Sequence, residues 1–263
     1  MIYINKEVNL PIKLDKTVFV FDFDRTITKS DSETSWSIFE HSSLISEDYK
    51  IKSIELYNYY RQIEIDINID SNLKNKYMEE WVYKQLELLS NYCSSDDMFK
   101  QLVRESDSIT FRYGLDKFFQ KLSKLNIPII VISAGLGNVV KEALIYHNCF
   151  YDNVNLISNM LKFENNRIKL DTHLVSSTNK TNLFISDDIY RNINGKENII
   201  LFGDQLSDLL VFENFDIQNR LSIGFLSDDT TKLLEDYKKV FSIVCSSDEN
   251  YDNINKVLIK KWK

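Results

Sequence analysis

The rhythm of apolar and polar positions changes twice along the chain. Residues 17–23, TVFVFDF, form a short β-branched and aromatic run, continuously apolar up to its acid, which is the pattern of a strand buried on both faces. From about Ser35 to Arg104 the apolar positions recur at three- and four-residue spacing, in WSIFEHSSLI, YKIKSIELYNYYRQIEI, LKNKYMEEWVYKQLELL and DMFKQLV. That spacing predicts helices with almost no strand between them. Beyond Gly114 helix and strand alternate: LDKFFQKLSKL as helix, IPIIVIS as strand, NVVKEALIYH as helix and NVNLISNML as strand. KFENNRIKL follows as a β-hairpin with an Asn-Asn turn. A helix near 180–192, strand NIILFG, helix LSDLLVFE, strand LSIGFL, helix DTTKLLEDYKK, strand VFSIV and a last helix near 249–261 complete the series. The alternation predicts an α/β fold, a Rossmann-like parallel sheet with helices on both faces. The expected division is a core of residues 1–32 and 105–263, interrupted by an all-helical cap over 33–104.

Composition narrows the function classes. With 263 residues and 43% hydrophobic content the chain can bury a substantial core, and two prolines and six glycines leave no flexible linker for a tandem arrangement. The formal net charge of −7 argues against tracking a polymeric nucleic acid, which takes an excess of Lys and Arg. The first residues, MIYINKEVNLPIKLDK, lack a basic segment followed by a long apolar run, and no stretch approaches a membrane span. The expectation is a cytoplasmic protein with no membrane partner. Cys93, Cys149 and Cys245 have no paired spacing and read as reduced, small apolar residues.

The chemistry gathers where apolar runs end. In open α/β sheets ligands bind at the carboxyl ends of strands, where Asp22 and Asp24 fall. Alternation along an extended segment puts both acids on one side, with Phe23 directed to the core. Two carboxylates so close call for a shared proton or a metal ion, unless both are solvated loop acids. A second strand, IIVIS, ends in Ser133, followed by Ala134, Gly135 and a helix. A hydroxyl, small residues and a helix N-terminus suit a phosphate, although Ser133 could equally cap the helix. The third, NIILFGDQLSDLLVF, places Asp204 and Asp208 four residues apart across a Gly-led turn, a spacing that can share a hard cation. Phosphoryl transfer also needs a cation beside the phosphate. Lys180, in SSTNKTN at the start of the predicted 180–192 helix, is the candidate, because Lys162 and Lys169 flank the hairpin turn and are expected to face solvent.

Taken in order, DFDRTIT, SAG, a lone Lys and GDQLSD resemble the four motifs of the haloacid dehalogenase superfamily of phosphatases, whose first motif is DxDxT. The resemblance implies Asp22 as a nucleophile forming an aspartyl-phosphate and Asp24 as general acid and base. It implies that Thr26, Ser133, Ala134 and Gly135 hold the phosphate, that Lys180 supports its charge, and that Mg²⁺ is bound by Asp22, Asp24 (through its backbone carbonyl) and Asp204, with Asp208 nearby. The segments YYRQIEID, YMEEWVYKQLELL, RESDSITFRYGLDKFFQKL, IPIIVISAGLGN, NVNLISNMLKF and TNK extend the likeness to the cytosolic 5′-nucleotidase III, or pyrimidine 5′-nucleotidase, family. In that family a helical cap closes over a nucleoside monophosphate; Glu64 matches the acid that bonds the base and Trp36 the aromatic residue that stacks on it. The chain departs from the family pattern in four places: LVSSTN between His173 and Lys180 is longer, the segment between the first motif and Trp36 is shorter, Arg25 stands where an apolar residue is usual, and Ser207 replaces a usual Gly. The expected function is Mg²⁺-dependent hydrolysis of nucleoside 5′-monophosphates. The alternatives are a generic small-molecule phosphatase of the phosphoserine phosphatase-like branch and a non-catalytic nucleotide-binding protein.

Overall fold

The computed structural model describes residues 1–4, 13–66, 68–93, 95–164, 167–181, 183–226 and 233–259. Its centre is the strand expected from TVFVFD, β2 (Thr17–Asp22), which is buried along its whole length. A short N-terminal strand, β1 (Ile2–Ile4), was not legible beforehand: it carries only three residues and forms an edge, antiparallel to the last strand. The other strands of the main sheet are β3 (Ile129–Leu136), β4 (Val154–Asn159), β7 (Asn198–Gly203), β8 (Asn219–Phe225) and β9 (Ile243–Cys245). Their order is β1-β9-β8-β7-β2-β3-β4, parallel throughout except for β1. The chain leaves β2, builds outward to one side through β3 and β4, then crosses to the other side of β2 to form β7. That reversal opens a crevice at the carboxyl ends of β2, β3 and β7, the position where such sheets bind ligands.

Strand alternation divides the core into two layers. Phe19, Phe21, Ile129, Val131, Ile200 and Phe202 face one side, where they meet α5 (Leu115–Lys124) and α9 (Tyr251–Ile259). There Phe21 and Phe202 stack with ring centroids 4.5 Å apart, and Phe118 and Tyr251 close over them. Burying each such ring contributes about 1.5–3 kcal/mol. Val18, Val20, Ile130, Ile132, Ile199 and Leu201 face the other side, under α7 (Asp187–Ile193) and a 3-10 helix, Leu206–Asn214. Because β2 is buried on both faces, an acid at its end has little bulk water to stabilise it.

Among the described residues four helices separate β2 from α5: α1 (Ile38–His41), α2 (Glu47–Ile65), α3 (Ser71–Ser90) and α4 (Asp96–Ser106). Ser46 and Asp70 cap α2 and α3 with their side-chain oxygens, and the two helices pack together with Tyr60 stacked on Trp81 at 5.7 Å. After β4 the hairpin β5 (Leu161–Glu164) and β6 (Arg167–Leu170) leaves the main sheet and touches the inserted helices, with Phe163 against Phe99 and Ile168 N–H donating to Ser90 Oγ. Its expected Asn165-Asn166 turn lies outside the described residues. So do the first part of the DTTKLLEDYKK helix, observed as α8 (Leu234–Val240), and the end of the last helix beyond 259.

Two expectations change. The helix placed near 180–192 begins only at Asp187, capped by Ser186 Oγ, which accepts from Ile189 N–H. Lys180 therefore lies in a turn, where Asn214 Nδ2 donates to its carbonyl and Asn214 Oδ1 accepts from Leu183 N–H. β3 does not stop at Ser133 either. Its register against β4 shifts between Ser133 and Leu136, so the strand bulges through Ala134 and Gly135 before α6 (Gly137–Tyr146) begins. Among the described residues no helix is long and apolar enough to cross a membrane.

Candidate active site

β2 ends at Asp22, so Asp24 sits in the following turn, not on the strand. Both still line one cavity of about 430 Å³, while Phe23 turns into the core against Phe111. The turn is tight: the N–H groups of Thr26, Ile27 and Thr28 all point at the Phe23 carbonyl, and Arg25 takes φ 61°. A left-handed conformation is unfavourable for a residue with a Cβ and persists only when its surroundings over-determine it. The restraint is Arg112, a 3% exposed guanidinium that donates to the carbonyls of Arg25 (2.6 Å), Thr26 (3.1 Å), Ser247 (2.6 Å) and Glu249 (3.0 Å). Tyr251 Oη adds a further bond to Thr26 O.

The β3 bulge forms the facing wall. Ala134 and Gly135 line the cavity; Ser133 is buried behind them, its Oγ accepting from Gly135 N–H at 3.0 Å, so it does not cap α6. A Cβ on Gly135 would lie 1.9 Å from Ser35 Oγ, and that hydroxyl is engaged by Leu136 N–H, so only glycine fits the approach. Thr26 is fully buried and lies off the cavity wall; its Oγ1 has no hydrogen-bond partner.

β7 supplies the third wall. Asp208, in the first turn of the 3-10 helix, completes a capping box with Gln205: its Oδ2 accepts from Asp204 and Gln205 N–H, each at 2.9 Å. Its other oxygen faces inward and accepts from Lys180 Nζ at 2.5 Å; the same ammonium reaches Asp22 Oδ1 at 2.7 Å. One buried lysine thus bridges acids from two strand ends, as its turn position allows. Tyr237 Oη donates to Asp204 O and fixes the backbone there. Lys162 and Lys169 are about half exposed and pair with Glu164 and Asp171 away from the cavity.

These groups are electrostatically crowded. Burial pushes the Asp22 carboxyl up to about 7; Lys180 opposes this, but Asp208 and Asp24 reinforce it. Asp204 is raised well above the ordinary carboxylate range, first by burial and then by Asp22 and Asp208. Burial also raises Asp24 to about 6, against the bond that its Oδ1 accepts from Ser35 N–H at 3.3 Å. For Lys180 burial acts against the charge, yet Asp208 and Asp22 outweigh it and hold the ammonium protonated. Carboxylate oxygens of Asp22, Asp204 and Asp208 all come within 4.8 Å of one another. Three buried acids against one ammonium leave an excess of negative charge, and an all-oxygen donor set suits a hard divalent cation such as Mg²⁺. The residues fit the ion.

The rest of the cavity belongs to the inserted helices. Trp36 lines it and donates from Nε1 to Ala134 O at 3.3 Å; Glu64 lines it from the end of α2, pairing with Arg61 and accepting from Ser177 Oγ at 2.6 Å. Tyr57, Arg61, Trp81 and Ser177 also line the cavity and were missed in the sequence. Tyr57 and Arg61 were reachable, since seven and three residues before Glu64 on a helix fall on its face. Trp81 depends on how α3 packs against α2, and Ser177 on the path of the long segment before Lys180; neither leaves a periodic signal.

A parallel sheet with a helical insertion after its first long strand, acids at its strand ends and a lysine reaching them from a turn, defines a hydrolase of the haloacid dehalogenase fold. The same fold is found at 15% identity and TM-score 0.57 in a phosphoserine phosphohydrolase-like protein from Francisella tularensis, across 92% of this chain and 99% of that one. The particular family is closer. Residues 25–261 match the family described as pyrimidine 5′-nucleotidase (UMPH-1), and the chain belongs to it. It is 34% identical over 252 residues to the 7-methylguanosine phosphate-specific 5′-nucleotidase of Gallus gallus, covering 92% of this chain and 87% of the relative. The Homo sapiens protein of the same name is 30% identical over 253 residues, covering 93% of this chain and 84% of the relative. The structure of cytosolic 5′-nucleotidase IIIB bound to cytidine superposes with TM-score 0.84 at 30% identity, covering 95% of this chain and 86% of that one. The chain is a phosphoric monoester hydrolase of the 5′-nucleotidase type.

Proposed function

We propose that the protein hydrolyses nucleoside 5′-monophosphates to nucleoside and phosphate, with 7-methyl-GMP as its preferred class of substrate. The observation that supports this most strongly is the continuity of one cavity. Its floor holds Asp22, Asp24, Lys180 and Asp204, and its roof, over residues 33–104 acting as a cap, holds Trp36, Trp81 and Glu64. Phosphate and base have separate, chemically suited ends. The curated relatives named for 7-methylguanosine phosphate support the base assignment. A methylated purine carrying positive charge gains about 0.5–2 kcal/mol over an indole face, and Glu64 offers carboxylate acceptors to N–H groups of the base edge.

In this reading an Asp22 carboxylate oxygen attacks phosphorus, and the bond from phosphorus to the 5′ oxygen breaks. Asp24, protonated at the outset, gives its proton to that oxygen and the nucleoside leaves. Water then attacks the aspartyl-phosphate, passing its proton to Asp24, and phosphate departs with Asp22 and Asp24 restored. A carboxyl raised to about 6 is suited to both directions of proton transfer near neutral pH. Lys180 neutralises charge on the transferring group, and the Ala134–Gly135 bulge forms the wall the phosphate meets, its Gly135 N–H held by buried Ser133 Oγ. Mg²⁺ would be held by Asp22, Asp204 and Asp208 with the Asp24 carbonyl, supplying positive charge that offsets the phosphate oxygens. The proposed location is the cytoplasm, in line with a Caenorhabditis elegans relative named putative cytosolic 5′-nucleotidase 3, 27% identical over 258 residues.

The test is phosphate release from CMP, UMP, AMP, GMP, 7-methyl-GMP and phosphoserine, with and without Mg²⁺. The expected outcome is nucleotide turnover that EDTA abolishes and Asp22→Asn removes. Preferential hydrolysis of phosphoserine would reassign the substrate, activity surviving Asp22→Asn would overturn the mechanism, and nucleotide affinity without turnover would mark a binding protein.

A further inference from the structure

The end of the segment between His173 and Lys180 lines the cavity. Ser176 and Ser177 line its wall, and Ser177 Oγ donates to Glu64 Oε1 at 2.6 Å across a sequence separation of 113 residues. Glu64 belongs to the inserted helices and Ser177 to the turn that carries Lys180, so this bond crosses the cavity between its two halves. On the helix side the carboxylate is 16% exposed and its other oxygen pairs with Arg61, while Lys74 Nζ donates to the Glu64 carbonyl at 2.9 Å. On the loop side Ser177 sits in a braced turn. Asn179 Oδ1 accepts from Ser176 N–H at 2.7 Å, Asn179 Nδ2 donates to Leu174 O at 3.1 Å, and Asn214 Nδ2 donates to Lys180 O at 2.5 Å. Three residues beyond Ser177, the Lys180 ammonium contacts Asp22 and Asp208.

We infer that Ser177 is a positioning residue that couples base recognition at Glu64 to the placement of Lys180. The argument rests on the proposal that Glu64 meets the base. A carboxylate offers about four acceptor sites; Arg61 and Ser177 occupy one on each oxygen, which leaves acceptors on both for N–H groups of a base edge. A base held there fixes Glu64, Glu64 fixes Ser177, and the braced turn carries that restraint to the ammonium beside the attacking carboxylate. Binding energy from the base is then expressed as orientation at the phosphate, so it appears in kcat more than in KM. A substrate with no base leaves the coupling unused.

The test compares 7-methyl-GMP or CMP, whichever the parent enzyme turns over faster, with ribose 5-phosphate, in the parent, Ser177→Ala, Ser177→Thr, Glu64→Ala and the Glu64→Ala/Ser177→Ala double variant. Removing a hydrogen bond to a charged group is expected to lower the nucleotide-to-ribose-5-phosphate ratio of kcat/KM about tenfold or more in Ser177→Ala, mainly through kcat. Ser177→Thr should recover most of the ratio, and the double variant should match Glu64→Ala alone. An unchanged ratio in Ser177→Ala, a loss confined to KM, or additive effects in the double variant would overturn the coupling while leaving the nucleotidase reading standing. An unchanged ratio in Glu64→Ala would instead overturn the base assignment on which it rests.

Discussion

Replacing Lys180 by Met removes the only cation in contact with Asp22 and Asp208 among the described residues while keeping most of the side-chain volume. The ammonium is 6% exposed, 2.7 Å from Asp22 Oδ1 and 2.5 Å from Asp208 Oδ1. At an effective dielectric near 20, a unit-charge contact at these separations is worth about 6 kcal/mol before desolvation is counted. Burying the ammonium opposes much of that, and removing one partner of a buried ion pair costs about 3–5 kcal/mol. Lys180→Met should therefore lose about 3–5 kcal/mol in EDTA, a large part of the roughly 5–15 kcal/mol that holds a typical domain folded. Mg²⁺ should recover much of it, since a ligand at 100 times its Kd adds about 2.7 kcal/mol and the variant's acid cluster attracts cations more strongly. Turnover should stay about 10²–10³-fold down, because the ion cannot occupy the ammonium's place beside the phosphate. Urea unfolding with EDTA and with Mg²⁺, alongside phosphate release, measures all three. A loss in EDTA below about 1 kcal/mol, the range of a surface substitution, would refute the electrostatic account.

Other perturbations probe separate parts. A Cβ at Gly203 would lie 2.4 Å from Asp208 Oδ2 and 2.6 Å from Asp208 Cβ, so Gly203→Ala should displace that carboxylate and weaken Mg²⁺ binding, read by calorimetry without substrate. Arg112→Met should cost about 3 kcal/mol in urea unfolding, since it removes a donor from four carbonyls, two of them in fully buried bonds and one, Thr26 O, still met by Tyr251, and releases the Arg25 turn. Trp81→Ala should raise KM for the preferred nucleotide about tenfold, the weight of one base–aromatic stack, with a much smaller effect on ribose 5-phosphate. Burial pushes the thiols of Cys93 to about 11 and of Cys149 and Cys245 to about 12, so at pH 8 a disulfide reagent should label them only after denaturant is added. Fast labelling of the folded protein would contradict that burial.

How much was legible depends on whether the signal was local. Strands β2, β3 and β7 stood out because a buried parallel strand is a short apolar run, and the acids after β2 and β7 stood out by ending those runs. The inserted helices were visible in their spacing, while β1 was too short to show. The start of α7 was misplaced because Ser186, not the segment around Lys180, caps it, and the continuation of β3 past Ser133 was hidden because a bulge depends on the neighbouring strand. Tyr57 and Arg61 could have been taken from the face of Glu64. Trp81 and Ser177 could not, because one waits on helix packing and the other on the course of a loop.

By itself the sequence determined the class of fold, the acids available for phosphoryl transfer and the lysine able to support them, because periodicity and strand-end chemistry are written in neighbouring residues. Only the tertiary structure decided that Lys180 bridges Asp22 and Asp208, that Arg112 holds the strained turn after Asp24, and that Glu64 meets Ser177 across the cavity. Each of these pairs is brought together by the reversal of the chain across β2 or by the inserted helices folding over its end. No spacing along the chain encodes such a meeting; it follows from burying both faces of one sheet and the inner face of the helices above it.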